Sequence, residues 1–297
     1  MKNSKNINEK ECFVCSSSSI PKIIGQYKHW KLYECPNCFF QYWWPIEQAL
    51  DQYFEEKYKS FADTKTKPDF GMNQKLALKF VKSEVKKQIN LNNLLDVGCG
   101  EGAFLNGIRD SGISSWGVDF NSRAIKKAKK IFGLKNLYPL SIYDFAKTSK
   151  LPKFDIITFF EVLEHIGDPL KFIRTIKKLL INSGIIIFSV PDAKTYGYWE
   201  KIINVPPHHL TRWTKDIIRQ LLNQYGFEVL KIKSINRPDS ECSFMNLSLK
   251  MGAKKNHYAS FSTKTKMIWK YLSLPYRQII YLLKLKRPTI FVIAQLK

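Results

Sequence analysis

The chain has 297 residues, 44% of them hydrophobic, and a formal net charge of +23. That length supports one sizeable core plus a small appendage, and the charge leaves a basic surface suited to nucleic acid, anionic lipid or phosphorylated substrates. The opening MKNSKNINEKEC lacks an apolar stretch and no run of about 18 apolar residues occurs, so neither a secretory signal nor a spanning helix is expected, and the reading is of a cytoplasmic protein.

The first motif is a pair of knuckles. Cys12 and Cys15 form CFVC, Cys35 and Cys38 form CPNC, and 19 residues separate the pairs. Two such pairs complete a tetrahedral site of four thiolates. In a reducing compartment a metal is favoured over disulfides. A piece this small builds no core alone, so the ion would supply much of its folding energy. Residues 1–45 are therefore predicted to be a structural zinc ribbon, the competing reading being a redox CxxC. Phe39 follows the last cysteine, where a knuckle often has glycine. Cys99 and Cys242 have no metal partner in sequence.

Beyond the aromatic run FFQYWWP at 39–45, a helix is expected over 46–63, carrying Tyr53, Phe54 and Tyr58. A linker is expected at 64–71 and a second helix over about 72–89. Residues 46–90 together read as a helical connector and cover. The third unit, 91–297, alternates. Strand patterns fall at 94–97, 115–118, 137–140, 155–160 and 185–190, with helical patterns at 102–111, 121–132, 144–149 and 168–181. Such alternation implies an α/β fold with a parallel sheet covered on both faces. A helix at 214–225 ends at Gly226, and strand patterns at 227–235 and 289–297 flank an insertion at about 236–287.

The stretch LLDVGCGEGAFL places three alternating glycines, Gly98, Gly100 and Gly102, just after Asp96. Glycines let a backbone approach a nucleoside closely. Asp119 ends the next strand pattern in WGVDFN, where an acid can accept both hydroxyls of a ribose. Either acid taken alone would favour a strand-end cap or turn former.

LLDVGCGEGAFL, GVDFN, FDIITFFEVLEHIGDP and GIIIFSVPD follow one another across about residues 90–235. With these motifs the chain resembles the class I S-adenosylmethionine-dependent methyltransferases. The resemblance implies a Rossmann-like, doubly wound, mostly parallel seven-stranded sheet closed by an antiparallel hairpin of 227–235 with 289–297. It implies S-adenosylmethionine as cofactor. Asp96 would lie near the amino acid end, with Gly98, Cys99, Gly100, Gly102 and Glu161 in the same set. Asp119 would hold the ribose and Phe120 the adenine face. The backbone around Ile142 and Tyr143, and Asp144 beside it, would meet the adenine edge.

EVLEHIGDP at 161–169 sets Glu161, Glu164 and His165 at i, i+3 and i+4, one face of a helical turn. VPPHHLTRW at 205–213 supplies His208 and His209. The small-RNA 2′-O-methyltransferases and the O-methyltransferases of ubiquinone synthesis pair an E-x-x-E-H turn with a later histidine and hold a metal. The resemblance thus implies a second divalent metal at Glu161, Glu164 and His165. Similar stretches also occur in family members without a catalytic metal, where Glu164 and His165 position the loop. His208 or His209 is a candidate acid/base toward the acceptor, a structural role being the alternative.

The whole chain resembles bacterial methyltransferases with an N-terminal four-cysteine segment that occur beside enzymes of sugar and surface-polysaccharide synthesis. Methyl transfer to oxygen of a small molecule or of a nucleotide- or lipid-linked sugar is the leading expectation. Sugar C-methylation is an alternative, as is RNA methylation with Tyr42, Trp43 and Trp44 seating bases. A non-enzymatic alternative is a cofactor-binding adaptor lying on the inner membrane face through 267–287, a stretch that reads equally as a lid or dimer helix pair.

Overall fold

The computed structural model describes residues 12–46, 71–86, 91–195, 204–237 and 287–297. The helix expected over 46–63, nearly all of the linker, Cys242 and almost all of the insertion, including the basic–apolar stretch beginning at 267, lie outside the described residues.

Two sheets organise the chain. The first begins with β1 (Lys22–Tyr27), β2 (Trp30–Glu34) and β3 (Gln41–Trp44), an antiparallel meander beside the cysteines. The second contains β4 (Asn93–Val97), β5 (Ser114–Val118), β6 (Leu137–Tyr138), β7 (Phe154–Phe160) and β8 (Leu180–Pro191). After them, β9 (Thr211–Arg212) returns to the first sheet, while β10 (Phe227–Arg237) and β11 (Arg287–Leu296) complete the second. The strand orders are β1-β2-β3-β9 and β10-β11-β8-β7-β4-β5-β6. From β8 to β6 all pairs are parallel, and β11 is antiparallel to both its neighbours. The doubly wound seven-stranded α/β sheet expected from the motifs is the one observed.

The described helices are α1 (Met72–Lys86), α2 (Ala103–Gly107), α3 (Ser122–Phe132), α4 (Ile142–Phe145), α5 (Pro169–Leu179) and α6 (Lys215–Gln224). Their starts follow local chemistry. Asn121 Oδ1 accepts from the backbone N–H groups of Arg123 and Ala124, Ser141 caps α4, Asp168 caps α5 ahead of Pro169, and Thr214 caps α6. Alternation along each strand sorts the side chains between two cores. Leu95, Ile157, Phe159, Ile186, Phe188 and Val292 face α4, α5 and α6. Leu94, Ile156, Ile187 and Phe291 face α1, α2 and α3.

The ribbon packs into the first of these cores. Cys12, Phe13, Val14, Phe40 and Tyr42 belong to it, and Phe40 meets the fully buried Trp213 at 4.9 Å between ring centroids. Tyr42 and Trp43 are buried and Trp44 is half-buried, with the Arg212 guanidinium 5.3 Å from the Trp43 ring. Tyr42 and Trp43 are thus packing residues, not an open platform for bases.

Several boundaries differ from the sequence reading. The helix expected at 102–111 is split into α2 and a 3-10 turn at Arg109–Ser111. The helix expected at 144–149 starts two residues earlier, because Ser141 supplies the cap. β6 stops at Tyr138, ahead of Pro139, which has no N–H for a ladder. The helix expected to run to 181 ends at Leu179, and β8 begins at Leu180 instead of Ile185. β9 had no sequence signal, being two residues long.

Candidate active site

The glycine turn crosses the carboxyl end of β4. Gly98, Gly100 and Gly102 have φ of +72°, +51° and +75°, conformations that L side chains rarely adopt. A Cβ on Gly98 would come within 2.6 Å of Val162 Cγ2, whereas one on Gly100 would meet nothing within 4 Å. The turn is thus pressed against the segment after β7 and open above Gly100. Gly98 and Cys99 both donate their N–H to the Val118 carbonyl, at 2.8 and 3.1 Å.

Two acids flank the turn. Asp96 is buried and accepts from Thr158 Oγ1 at 2.6 Å; desolvation raises its carboxyl to about 7, with Thr158 opposing and the charge of Asp119 adding. Asp119 Oδ2 accepts from Gly100 N–H at 2.9 Å and Oδ1 from Asn121 N–H at 2.8 Å. Desolvation raises its carboxyl also, against those two bonds. The turn and the second strand end are therefore joined by a carboxylate.

The other residues expected at a cofactor fall as follows. The Cys99 sulfur points into the core beside Gly117, so only its backbone faces the turn. Phe120 is exposed. Ile142 is buried, and Tyr143 is half-buried with Lys171 Nζ 4.7 Å from its ring centroid. Asp144 is exposed and bonded to Lys147 Nζ and Ser141 Oγ at 2.8 and 2.7 Å.

Opposite the turn, β7 leads into Glu161, whose φ is +55°. Glu161 Oε1 accepts from Ser189 Oγ at 2.8 Å and from Asn73 Nδ2 at 3.4 Å. A 3-10 turn, Leu163–His165, follows. The one-face helical arrangement expected for Glu161, Glu164 and His165 does not form, because Glu161 precedes the turn in a left-handed conformation. Glu164 is buried, with Oε1 3.9 Å from His165 Nε2 and 4.0 Å from His209 Nε2. His165 Nδ1–H donates to the His208 carbonyl. The three imidazoles gather with ring centroids 4.4 to 4.9 Å apart, and one nitrogen from each lies within 4.8 Å of the others. The histidine segment is pinned just beyond His209: Leu210 N–H donates to the Glu164 carbonyl at 2.8 Å, and Thr211 Oγ1 to that of Leu163 at 3.3 Å.

The four ribbon cysteines converge as their spacing predicts. Cys12 and Cys38 sulfurs are 3.5 Å apart, Cys15 and Cys35 sulfurs 3.6 Å, and all four lie within 4.8 Å of one another. Zinc–sulfur bonds of about 2.3 Å give a tetrahedron with an edge of about 3.8 Å, so the cluster could hold zinc with small adjustments. The Cys12–Cys38 hydrogen bond lowers the Cys12 thiol and raises that of Cys38, one proton being shared between them, while desolvation raises Cys15. Phe39 adopts φ +60° with its ring exposed, the backbone usually given to glycine after a knuckle.

Thr158, Ser189 and Asn73 escaped the sequence reading. Thr158 and Ser189 carried a signal, as hydroxyls within the apolar runs IITFF and IIIFSV.

A seven-stranded, mostly parallel sheet with a glycine turn after its central strand defines the class I methyltransferase fold. Solved structures share it at low identity. The plantazolicin methyltransferase BpumL, crystallised with a triazolic desmethylPZN analogue and S-adenosylhomocysteine, has a TM-score of 0.52 at 17% identity, covering 84% of this chain and 95% of that one. The N-methyltransferase NodS from Bradyrhizobium japonicum WM9 has a TM-score of 0.50 at 12% identity, covering 81% and 97%. The ubiquinone biosynthesis O-methyltransferase of Pasteurella multocida (strain Pm70) is 30% identical over 171 residues, 53% of this chain and 69% of that protein. The same enzyme of Actinobacillus pleuropneumoniae serotype 5b (strain L20) is 29% identical over 179 residues, 51% and 76%. The methyltransferase domain family matches residues 71–232, more than half of the chain. The chain belongs to that family and is an S-adenosylmethionine-dependent methyltransferase.

Proposed function

We propose that the protein transfers a methyl group to an oxygen of a small-molecule acceptor, with a nucleotide- or lipid-linked sugar as the acceptor class. The contact of Gly98 with Val162 carries the reading. It sets the cofactor turn directly against the segment that bears Glu164 and His165. The cofactor would lie over Gly98–Gly102, with Asp96 toward its amino acid end, Asp119 on the ribose, and Phe120 and the Ile142–Asp144 segment around adenine. Gly100 leaves the room such a ligand needs.

The sulfonium brings its own leaving group, so the protein's task is alignment and proton removal. His208 or His209 would take the proton of an acceptor hydroxyl. The buried Glu164 carboxylate, near Nε2 of His165 and His209, would stabilise the imidazolium that forms.

A second reading rests on the convergence of three imidazole nitrogens. His165, His208 and His209 fit a divalent cation of borderline character, with Glu164 alongside. Bound there, it would act as a Lewis acid toward an acceptor oxygen. The ribbon's four cysteines are proposed to hold structural zinc, and their free thiols suit a cytoplasmic place of work.

The test is labelled methyl transfer to nucleotide sugars, lipid-linked sugars, catechols and RNA. An O-methylated sugar product, lost in His208→Ala/His209→Ala, is the expected result. Transfer to RNA alone, falling steeply with salt, would overturn the acceptor class.

A further inference from the structure

The cysteine ribbon turns apolar side chains outward. Among the described residues seven large hydrophobic side chains are exposed, and four of them, Ile20, Ile23, Ile24 and Phe39, belong to this small unit. Ile23 and Ile24 lie on β1, the outermost strand of the first sheet. A bulge between Ile23 and Gly25 breaks the alternation of that strand, and both isoleucines are exposed. Ile20 leads into β1 beside the loop that carries Phe39, because Asn37 of that loop donates to Ser17 Oγ at 2.8 Å and accepts from Ser19 Oγ at 3.5 Å. Lys22 and Ile23 pair with Glu34 and Tyr33, next to Cys35, so the four apolar side chains gather toward the cysteine end of the ribbon.

Phe39 is the telling residue. Its ring is 64% exposed while its backbone holds φ +60°. Bulky residues are disfavoured in that region, and an exposed ring gains nothing from folding. A ring held there points to a contact outside the chain. The surrounding charge says which. Lys22, Lys28 and Lys31 are exposed on β1, β2 and the turn between them. The only acid among the ribbon's described residues, Glu34, is half-buried and accepts from Gln41 Nε2 at 2.7 Å. Apolar tips in a cationic frame fit an anionic leaflet, with the apolar groups at the acyl boundary and the ammonium groups among the headgroups. A nucleic acid would gain nothing from the isoleucines.

We propose that the ribbon is a membrane-docking surface, in which Ile20, Ile23, Ile24 and Phe39 enter an anionic lipid leaflet and Lys22, Lys28 and Lys31 meet its headgroups. The proposal goes beyond the acceptor reading and does not depend on it. Docking of this kind would hold the catalytic sheet at the surface where lipid-linked acceptors lie.

The experiment is co-sedimentation of the full-length protein with vesicles of phosphatidylcholine, alone or mixed equally with phosphatidylglycerol. Wild type is expected to bind the mixed vesicles at least about tenfold more tightly and to leave them as salt rises. Phe39→Gly is expected to weaken that binding about tenfold, in line with the burial of one aromatic side chain. It should melt no lower than wild type, because glycine takes φ +60° without strain. Ile20→Ser/Ile23→Ser is expected to weaken binding likewise, and Leu230→Ser, which removes an exposed apolar side chain on β10, to stay within about twofold of wild type. Wild type that ignores the mixed vesicles would overturn the proposal and leave the patch to a protein partner. Vesicle binding unchanged in both ribbon variants would put the membrane contact elsewhere and overturn it as well. So would a Phe39→Gly protein that melts lower, since the ring would then be packing within the fold. Should Ile20→Ser/Ile23→Ser not fold, Phe39→Gly alone decides.

Discussion

Trp43 donates its backbone N–H to the carbonyl of Leu210 at 2.9 Å. Leu210 in turn donates to Glu164, so two bonds in series join the cysteine ribbon to the turn that carries the buried carboxylate. His208 and His209 sit immediately before Leu210 and inherit their position from this connection. If the four cysteines hold zinc as proposed, its removal should act at a distance. Chelation, or Cys35→Ser with Cys38→Ser, is expected to lower methyl transfer by about 100-fold, a loss typical of misplaced catalytic groups. S-adenosylhomocysteine affinity should stay within about threefold of wild type, read by calorimetry.

Replacing Gly98 with alanine should cost stability. The backbone sits at φ +72° and the new Cβ would lie 2.6 Å from Val162 Cγ2. Left-handed strain and overpacking together predict about 2–4 kcal/mol. Denaturant unfolding would measure it. Val162→Ala should recover part of the loss, because the clash is with that side chain.

Asp96 predicts a pH dependence with a definite sign. Its folded value of about 7 lies above the ordinary 3.8. The ligand-free protein therefore holds a proton that the unfolded chain releases, and this contribution to stability is full below about pH 4 and lost as pH rises through about 7. The ammonium of the zwitterionic amino acid head, placed beside Asp96, would favour the ionised carboxylate. S-adenosylhomocysteine should bind about tenfold more weakly at pH 6 than at pH 8 and release a proton on binding at the lower pH. Calorimetry in two buffers of different ionisation enthalpy would show it. Asp96→Asn should flatten the profile.

Glu164→Gln separates a catalytic role from a merely structural one. The amide keeps the volume and removes the charge beside His165 and His209. The turnover rate should fall about 10- to 100-fold, within the range for acid–base effects, with cofactor affinity within about twofold. An unchanged rate, together with a lowered melting temperature, would assign Glu164 to the scaffold alone.

The order of the elements was legible because the strand patterns at 94–97, 155–160 and 185–190 are mostly apolar and alternate with helical stretches, and because Gly98, Asp119 and the EVLEH run stand just after strand patterns. The two knuckles announced their own convergence. What stayed hidden depends on contacts far apart in sequence. Nothing in TR, residues 211–212, says that it will pair with Gln41 and Tyr42. The separation of Glu161 from the histidines follows from one backbone angle, which no spacing rule carries. Asn73 carried no signal in the sequence, and only the fold brings its Nδ2 to 3.4 Å from Glu161 Oε1.

The place of β11 has a consequence for how the protein is made. That strand lies between β8 and β10, pairing on one side with residues about a hundred positions earlier. Until residues 287–296 leave the ribosome, β8 has a naked edge, an apolar ribbon ready to stick to any other nascent chain. Slow translation or a premature stop in the preceding segment would expose that edge for longer, and molecular chaperones would be the natural guardians of the interval.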